Sequence, residues 1–275
     1  LLMGLEAGGN TCNAGMMLAH VQRPFRQVTG FDAFDNNIPF VVIYTPGLMA
    51  VNRTGERFQR EDMGLDCTVD FMNGKLAQGD YYYMLVSQDQ MEVLAAQGIA
   101  GLGSDVKPDK VSYNGVCVEP DVPLTNIQTV FDGCVEQGVV FKGDTLEELA
   151  ESAGMDPEIL AANVEAYNGL CEQGEDTLFG KRAQYLHPLG EGPYYAVKAC
   201  VTMYCTTGAL DIDENFNVVR PDGSAIEGLY AVGMDSMGVL LDGSSYPDYG
   251  GPACGWAYTS GRLAGLSALA YLAGK

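Results

Sequence analysis

The sequence predicts a mixed α/β fold in which short strands alternate with capped helices. Apolar runs rich in β-branched and aromatic residues, Phe40–Tyr44 and Tyr81–Val86, predict strands. Helix caps and apolar periodicity between residues 144 and 170 predict helices. After Thr206, a hairpin, a strand, a glycine loop and a long apolar helix follow one another. That order indicates an α/β core.

In the first 126 residues, the sequence predicts a helix end, three strands and a loop segment. Residues 1–20 indicate the end of a helix whose start lies upstream, then a Gly-Gly break and a connector. The strand predicted at Phe40–Tyr44 is followed by a second short strand that ends at Val51. Tyr81–Val86 is the third strand. Residues 100–126, with many prolines and glycines and no sustained period, predict loop with short strands.

The middle of the chain carries the clearest helical pattern. Thr145, with Glu148 three residues later, predicts a capping box, and Gly154 is expected to end that helix. Asp156-Pro157 predicts a new start, because aspartate caps helices and proline is tolerated at the first helical position. We expect both helices to be scaffold without chemistry.

The last seventy residues predict a hairpin, a buried strand and a helix. Ala209–Ile212 and Val218-Val219 are expected to pair across the turn at residues 213–215. Gly228–Gly233 is predicted as a buried strand that ends in glycine. Residues 253–273 form a long apolar helix with several glycines and Arg262 but without flanking charges. We expect this helix to be buried within a soluble protein, not to span a membrane.

Charge and cysteine usage exclude several classes of protein. The formal net charge is −21, from 36 acidic and 15 basic residues, so nucleic acid and anionic membrane surfaces are poor partners. The eight cysteines form no CxxC pair, and the chain has only two histidines, which argues against a structural metal site. Wide cysteine spacing in a long chain predicts buried free thiols.

Five motifs occur in the order seen in one family of flavoproteins. They are Val51–Phe58 (VNRTGERF), Asp144–Ala150 (DTLEELA), Pro193–Lys198 (PYYAVK), Gly228–Gly233 (GLYAVG) and Gly261–Gly265 (GRLAG). Together they resemble the fumarate reductase/succinate dehydrogenase type, which includes flavocytochrome c fumarate reductases, urocanate reductase and 3-ketosteroid dehydrogenases. The resemblance implies FAD as cofactor, a small-molecule substrate and, for some members, an electron-donor protein.

The resemblance also implies a bipartite FAD-binding domain interrupted by a capping domain. On this pattern, residues 1–20 end the first FAD-binding segment, 21–205 form the cap, and 206–275 form the second FAD-binding segment. The family's GxGxxG phosphate loop does not occur in the 275 residues. We therefore expect this chain alone to bind FAD weakly or not at all.

Two short segments are expected to contact the flavin. A glycine pair before a helix lets backbone N–H groups approach a ligand, and the helix adds its positive end. In the family this helix faces the flavin pyrimidine, and a glycine precedes an acid that contacts the cofactor. Met234 stands where that acid would be, with Asp235 next. The predicted cofactor-binding residues are Gly233, Met234, Asp235, Gly250, Gly251, Pro252 and Ala253.

The substrate-binding residues of fumarate reductases are replaced in this chain. The family's arginine proton donor falls at Leu65, its paired histidines at Tyr204 and Cys205, and its carboxylate-binding arginine at Asp248. An aspartate would repel a carboxylate that an arginine fork binds. We therefore expect that fumarate is not the substrate.

Tyrosines are the candidates that remain. Ser245-Tyr246-Pro247 resembles a segment of ketosteroid dehydrogenases whose tyrosine holds the substrate carbonyl. Tyr246 and Tyr204 are the predicted catalytic residues, because a phenol can donate a hydrogen bond or a proton. Tyr249, Cys205 and Asp248 are predicted to line the substrate site. The expected reaction is hydride transfer between flavin and an activated C=C or C–C bond. A ketosteroid-type dehydrogenase and a non-catalytic binding module without FAD are the alternatives.

Overall fold

The computed structural model describes residues 1–13, 17–66, 68–104, 118–206, 208–240 and 252–274, with backbone alone for 17–21, 68–69 and 203–206. The mixture of helices and strands confirms the predicted α/β class. The chain folds into two compact units. Unit 1 comprises Leu1–His20 with Met203–Lys275, and unit 2 comprises Val21–Thr202. Their roles as FAD-binding segments and cap stay predictions.

The described helices and strands are numbered in chain order. The helices are α1 Leu2–Glu6, α2 Ile38–Ile43, α3 Thr68–Leu76, α4 Gln88–Gln97, α5 Ile127–Glu136, α6 Leu146–Ala153, α7 Pro157–Gln173 and α8 Pro252–Ala273. The strands are β1 Thr11–Cys12, β2 Met17–Pro24, β3 Met49–Val51, β4 Tyr82–Ser87, β5 Val140–Gly143, β6 Tyr194–Thr206, β7 Ala209–Leu210, β8 Asn217–Val219 and β9 Ala225–Tyr230. Single 3₁₀ segments occur at Asp35–Asn37, Met63–Leu65, Gly98–Leu102, Ala183–Tyr185 and Gly233–Val239.

Unit 2 is built on an antiparallel sheet with helices on both faces. Its strand order is β2-β6-β4-β3, with β5 also paired to β6. Along β4, Tyr82 and Met84 point to a core shared with α2, α4 and α5. Tyr83 and Leu85 point to the opposite core, shared with α6 and α7. The alternation follows from the period of two in a strand, and it explains why every residue of β4 is buried.

The strand predicted at Phe40–Tyr44 is wrong, because this segment forms helix α2. Pro39 occupies the first turn of α2, a position where proline favours a helix start. All six residues of α2 are buried, so the helix has no polar face. A short run that is apolar on every side cannot be distinguished from a buried strand by its periodicity.

The predicted helices α6 and α7 are confirmed, with both predicted starts and the predicted end of α6. In the predicted capping box, the return hydrogen bond of Glu148 goes to Asp144 and not to the cap residue Thr145. The Thr145 hydroxyl accepts from the Glu148 N–H at 3.1 Å. Glu148 accepts in turn from the N–H of Asp144 at 2.8 Å, one residue before the cap. Gly154 ends α6 in the left-handed region, and the Asp156 carboxylate caps α7.

Unit 1 contains two small ribbons whose pairing differs from the predicted hairpin. Strand β7 pairs with β1, near the amino terminus, and β8 pairs with β9 across the turn at residues 220–224. The pairing predicted for the hairpin is limited to an isolated bridge between Ile212 and Val218. Strand β9 is half-exposed, so the prediction of a buried strand there is wrong. Small ribbons leave one face uncovered, and that reduces burial.

Helix α8 is long and mostly exposed, which contradicts the predicted burial. Within Pro252–Ala273, Ser260 and Ala264 are the buried residues. Leu269 and Leu272 are 65% and 66% exposed. The helix contacts the 3₁₀ segment Gly233–Val239 and β9 on one side, and that contact buries little of its circumference. Across the described residues, no helix is both long and apolar enough to cross a membrane.

The described cysteines are free thiols. Cys134 and Cys200 are buried, as predicted, whereas Cys12 and Cys171 are half-buried and Cys254 is exposed. The prediction of burial is therefore wrong for Cys254, because α8 presents that side to solvent.

Candidate functional site

The chain turns sharply at Gly233, shortly after β9. Gly233 has a φ of +58°, in the left-handed region that favours glycine. Its N–H donates to the Ser260 hydroxyl at 2.9 Å, and its carbonyl accepts from the Ser236 hydroxyl at 3.3 Å. Both serines are fully buried. The turn is therefore held at both of its backbone polar groups.

Trp256 closes these contacts into a cycle. Its indole N–H donates to the Ser236 hydroxyl at 3.1 Å, and its backbone carbonyl accepts from the Ser260 hydroxyl. The residues Gly233, Ser236, Trp256 and Ser260, here called the Gly233 cycle, are thus joined by four hydrogen bonds. The indole also packs against Phe216, with ring centroids 5.9 Å apart. Sequence reasoning missed Ser236, Trp256 and Ser260. The available signal was a Trp and a Ser four residues apart, on one face of α8.

The first turn of helix α8 offers backbone N–H groups without an acidic side chain among its own residues. The first N–H groups of a helix have no intrahelical partner, and they carry the positive end of the helix dipole. The first turn of α8 contains no acidic residue, and Pro252 and Ala253 are half-buried. Gly250 and Gly251 lie outside the described residues. These donors fit the electron-rich edge of a flavin, which gains negative charge on reduction.

Met234 and Asp235 follow the turn with different surroundings. Met234 is half-buried and carries no charge, so it offers no substitute for the family's acid. The Asp235 side chain is 64% exposed. Asp235 is therefore the first carboxylate after the turn, and its contact with a cofactor stays a prediction.

Most of the predicted catalytic and substrate-binding residues belong to parts of the chain that the structure does not describe. Tyr246, Asp248 and Tyr249 belong to residues 241–251, which lie outside the described residues. Tyr204 and Cys205 are in β6, with their side chains outside the description. Their roles stay predictions.

Unit 2 contains a buried ion cluster that sequence reasoning missed. Arg57 donates to both Glu61 oxygens at 3.0 Å and to Asp176 at 2.7 Å. The Lys181 ammonium lies 3.1 Å from Glu61 and donates to the Tyr167 hydroxyl at 2.8 Å. These four charged side chains sum to zero and are at most 3% exposed. Glu61 follows the VNRTGERF motif by three residues in a segment without regular structure, so no local pattern in the sequence indicated its pairing with Arg57.

The ion cluster keeps its acid charged in the interior. Burial alone would raise the pKa of Glu61, but the ion pairs with Lys181 and Arg57 outweigh it and lower the pKa. The Ala50 N–H adds a further hydrogen bond to Glu61 at 3.0 Å. The motif Val51–Phe58 therefore supplies a structural arginine, and the cluster secures the sheet of unit 2.

A third buried cation, Lys75, lies in unit 2 outside the ion cluster. Its ammonium donates to Gln22 at 2.6 Å and lies 4.1 and 4.2 Å from the ring centroids of Phe71 and Tyr82. Burial lowers the pKa of Lys75 to about 7, although the charge of Glu61 opposes the shift. In sequence, Lys75 resembles an ordinary helix-end lysine, and no pattern indicated its burial.

Much of the chain is similar in sequence to known proteins. The family described as "FAD binding domain" matches residues 28–244. The vinyl phenol reductase of Lactiplantibacillus plantarum is 30% identical over 82% of this chain and 43% of its own length. The 3-oxosteroid 1-dehydrogenase of Mycolicibacterium smegmatis is 38% identical over 81% of this chain and 38% of its own length. The chain thus spans less than half the length of these relatives.

A solved structure shows the same fold. The 3-ketosteroid Δ1-dehydrogenase of Sterolibacterium denitrificans, crystallised with 1,4-androstadiene-3,17-dione, covers 99% of this chain with a TM-score of 0.61 and 23% identity. This chain covers 46% of that structure. The resemblance inferred from the five motifs is confirmed. The chain belongs to the FAD-binding domain family of flavoproteins, together with fumarate reductases and 3-oxosteroid dehydrogenases.

Proposed function

We propose that the full-length parent of this chain is an FAD-dependent oxidoreductase acting on an activated C=C or C–C bond of a carbonyl-bearing substrate. FAD, when bound, accepts or supplies the hydride. The observation that carries the proposal is the Gly233 turn held against α8, whose first turn is free of acids. Because this chain spans less than half the length of the relatives that it matches, the activity is assigned to the parent and not to this chain alone.

In this proposal a tyrosine donates the hydrogen bond or the proton that the reaction requires. Tyr246 donates its phenolic hydrogen to the substrate carbonyl oxygen, or gives its proton to the carbon beside the one that receives hydride. Tyr204 is the rival for the same role. The assignment of Tyr246 rests on the resemblance to ketosteroid dehydrogenases, and that of Tyr204 on its place at the family's paired histidines.

A dicarboxylate substrate fits this chain poorly. Leu65 stands where fumarate reductases have an arginine, and the next residue, Asp66, is bound by Arg60 and Arg182. Both arginines also approach the buried Asp62, at 3.8 and 3.5 Å. The guanidinium groups around Leu65 are therefore already paired with carboxylates. A neutral or monoanionic substrate is the better match.

The first experiment measures flavin in the purified proteins. We expect flavin absorbance in the parent and little or none in this 275-residue chain. The exposed leucines of α8 support this expectation, because an FAD-binding unit completed by further residues would cover them. A parent without flavin would refute the proposed function and favour a non-catalytic binding module.

The second experiment tests the phenolic donor. Tyr246→Phe in the parent should lower turnover on the true substrate roughly a hundredfold or more, as expected for loss of one general acid or oxyanion donor. Tyr194→Phe is the matched control, because Tyr194 lies at the opposite end of β6 from Tyr204 and is not among the predicted site residues. If Tyr204→Phe alone shows the loss, Tyr204 is the donor. Near-normal turnover in both variants would refute the tyrosine mechanism.

A ketosteroid-type dehydrogenase is the second candidate. The 38% identity to the 3-oxosteroid 1-dehydrogenase of M. smegmatis favours it. In this case the parent would oxidise a saturated 3-oxosteroid ring with an artificial electron acceptor. The reverse reaction, in which a reduced dye drives reduction of the unsaturated ring, would then be the slower of the two.

A further inference from the structure

We propose that the Gly233 cycle is a positioning device, through which Trp256 and Ser260 of α8 fix the flavin-facing turn at Gly233. The inference deepens the proposed function and rests on it. It assigns roles to Ser236, Trp256 and Ser260, none of which needs to touch the cofactor. The cycle acts by fixing the direction of the Gly233 backbone and hence of the residues that follow.

The hydrogen-bonding capacity of the two hydroxyls carries the argument. Ser260 accepts from the Gly233 N–H and donates to the Trp256 carbonyl. Ser236 accepts from the Trp256 indole and donates to the Gly233 carbonyl. Each hydroxyl thus uses its donor and accepts a hydrogen bond. Through each hydroxyl, the hydrogen bond that it accepts polarises the one that it donates, so loss of either weakens the other.

The conformation of Gly233 shows why the turn needs such support. A left-handed glycine is conformationally free in the unfolded chain, and ordering it costs more than for other residues. A Cβ at this position would lie 3.6 Å from that of Ala257, an ordinary contact. Close packing therefore does not restrict Gly233. The hydrogen bonds to its N–H and carbonyl are what hold the turn.

Trp256 connects the turn to two elements of unit 1. Its backbone belongs to the second turn of α8, and its indole lies against Phe216. Phe216 itself has a φ of +66°, which is unusual for a residue with a side chain. Its N–H donates to the carbonyl of Asp213 at 3.0 Å, and its carbonyl accepts from Ala231 at 3.2 Å. The indole ring therefore packs against a residue whose backbone is constrained, and this contact orients the indole N–H towards Ser236.

The first test needs no cofactor. Trp256 is the single tryptophan of the chain, so a ¹⁵N-labelled sample gives one indole N–H signal. We expect slow exchange of this proton with solvent in the wild-type chain. Exchange should become at least tenfold faster in Ser236→Ala and remain unchanged in Tyr258→Phe. Fast exchange in the wild type would overturn the proposal.

The second test measures FAD affinity of the parent by titration, without turnover. Loss of one hydrogen bond of this kind corresponds to roughly fivefold weaker binding. We expect about that loss for Trp256→Phe, which removes one hydrogen bond of the cycle. The loss should be at least as large for Ser236→Ala and Ser260→Ala, because each of them removes two. The double variant Ser236→Ala/Trp256→Phe should bind no more weakly than Ser236→Ala, because both changes remove the same indole bond.

The outcomes separate the two proposals. Unchanged FAD affinity and an unchanged flavin spectrum in the variants would overturn the positioning role and leave the proposed function intact. Multiplicative losses in the double variant, accompanied by equal losses of thermal stability, would also overturn it, because they indicate general packing. A wild-type parent that binds no FAD would refute the proposed function, and the positioning role with it.

Discussion

The buried ion cluster of unit 2 predicts a large cost for neutralising Glu61. Glu61 Oε1 accepts from the Arg57 Nε–H and the Ala50 N–H. Its Oε2 accepts from an Arg57 Nη2–H, and the Lys181 ammonium lies at 3.1 Å. In Glu61→Gln, the side-chain amide nitrogen replaces one carboxylate oxygen and faces the two donors that this oxygen accepted. The buried cations Arg57 and Lys181 then keep only Asp176 as a counter-ion. Breaking a buried ion pair in this way costs about 3–5 kcal/mol.

The assay is thermal and urea unfolding followed by the tyrosine near-ultraviolet circular dichroism of unit 2. Tyr82, Tyr83, Tyr167, Tyr185 and Tyr195 are all buried there, whereas the single tryptophan belongs to unit 1. For a unit of this size, the expected cost corresponds to a fall in Tm of about 6–20 °C. Glu56→Gln is the matched control, since Glu56 is exposed, and it should change stability by less than about 0.5 kcal/mol.

The pH dependence supplies a second check with a defined sign. The ion pairs lower the pKa of Glu61 below its ordinary value of 4.5. Its contribution to stability is therefore fully present above about pH 4.5 and is lost as the pH falls through the lowered pKa. The gap between wild type and Glu61→Gln should narrow in acid. A gap smaller than 1 kcal/mol at pH 7, or one that stays constant with pH, would refute the reasoning.

Three further predictions concern other features. Lys75→Met should stabilise the protein most near pH 6, because the wild-type protein must then bury a charged ammonium. This gain in stability over wild type should shrink as the pH rises from 7 to 10. A difference in urea midpoint between variant and wild type that is equal at both ends of this range would contradict the lowered pKa of Lys75. Asp156→Ala should cost about 1 kcal/mol, because it removes the cap on the N–H groups of Glu158 and Ile159, and Asp156→Asn should restore most of that loss in the same urea assay. The parent should reduce fumarate roughly a hundredfold more slowly than its own substrate, as expected for a missing carboxylate clamp; comparable rates with a reduced viologen dye would contradict this.

Local signals predicted the elements whose ends are determined by nearby residues. Thr145, Gly154 and Asp156 act within four residues of the helix ends that they define, so α6 and α7 could be read directly from the sequence. The same rule failed at α2. Its β-branched residues favour a strand, but Pro39 and complete burial favour a helix, and only the tertiary packing decides between them.

The candidate site was predictable in outline and not in its contacts. The glycine at 233 and the helix start at 252 could be identified by resemblance. Ser236 and Trp256 are 20 residues apart, so their hydrogen bond depends on how the 3₁₀ segment meets α8. The exposure of α8 was missed for a related reason. Its composition is apolar all round, and sequence alone does not say what lies beside it.

The order of the units along the chain has a consequence for biosynthesis. Unit 2 is one uninterrupted stretch, and its first and last strands, β2 and β6, are neighbours in the sheet. On a ribosome, unit 2 can therefore complete its fold before residues 203–275 have emerged. Strands β1 and β7 of unit 1 pair Thr11 with Leu210, so the chain between them must form a closed loop. Closing that loop while unit 2 is unfolded costs conformational entropy. Prior folding of unit 2 shortens the effective loop that must close, because its two ends leave from adjacent strands. Unit 2 thus acts as a folded insert, and a delay in its folding would postpone the assembly of unit 1.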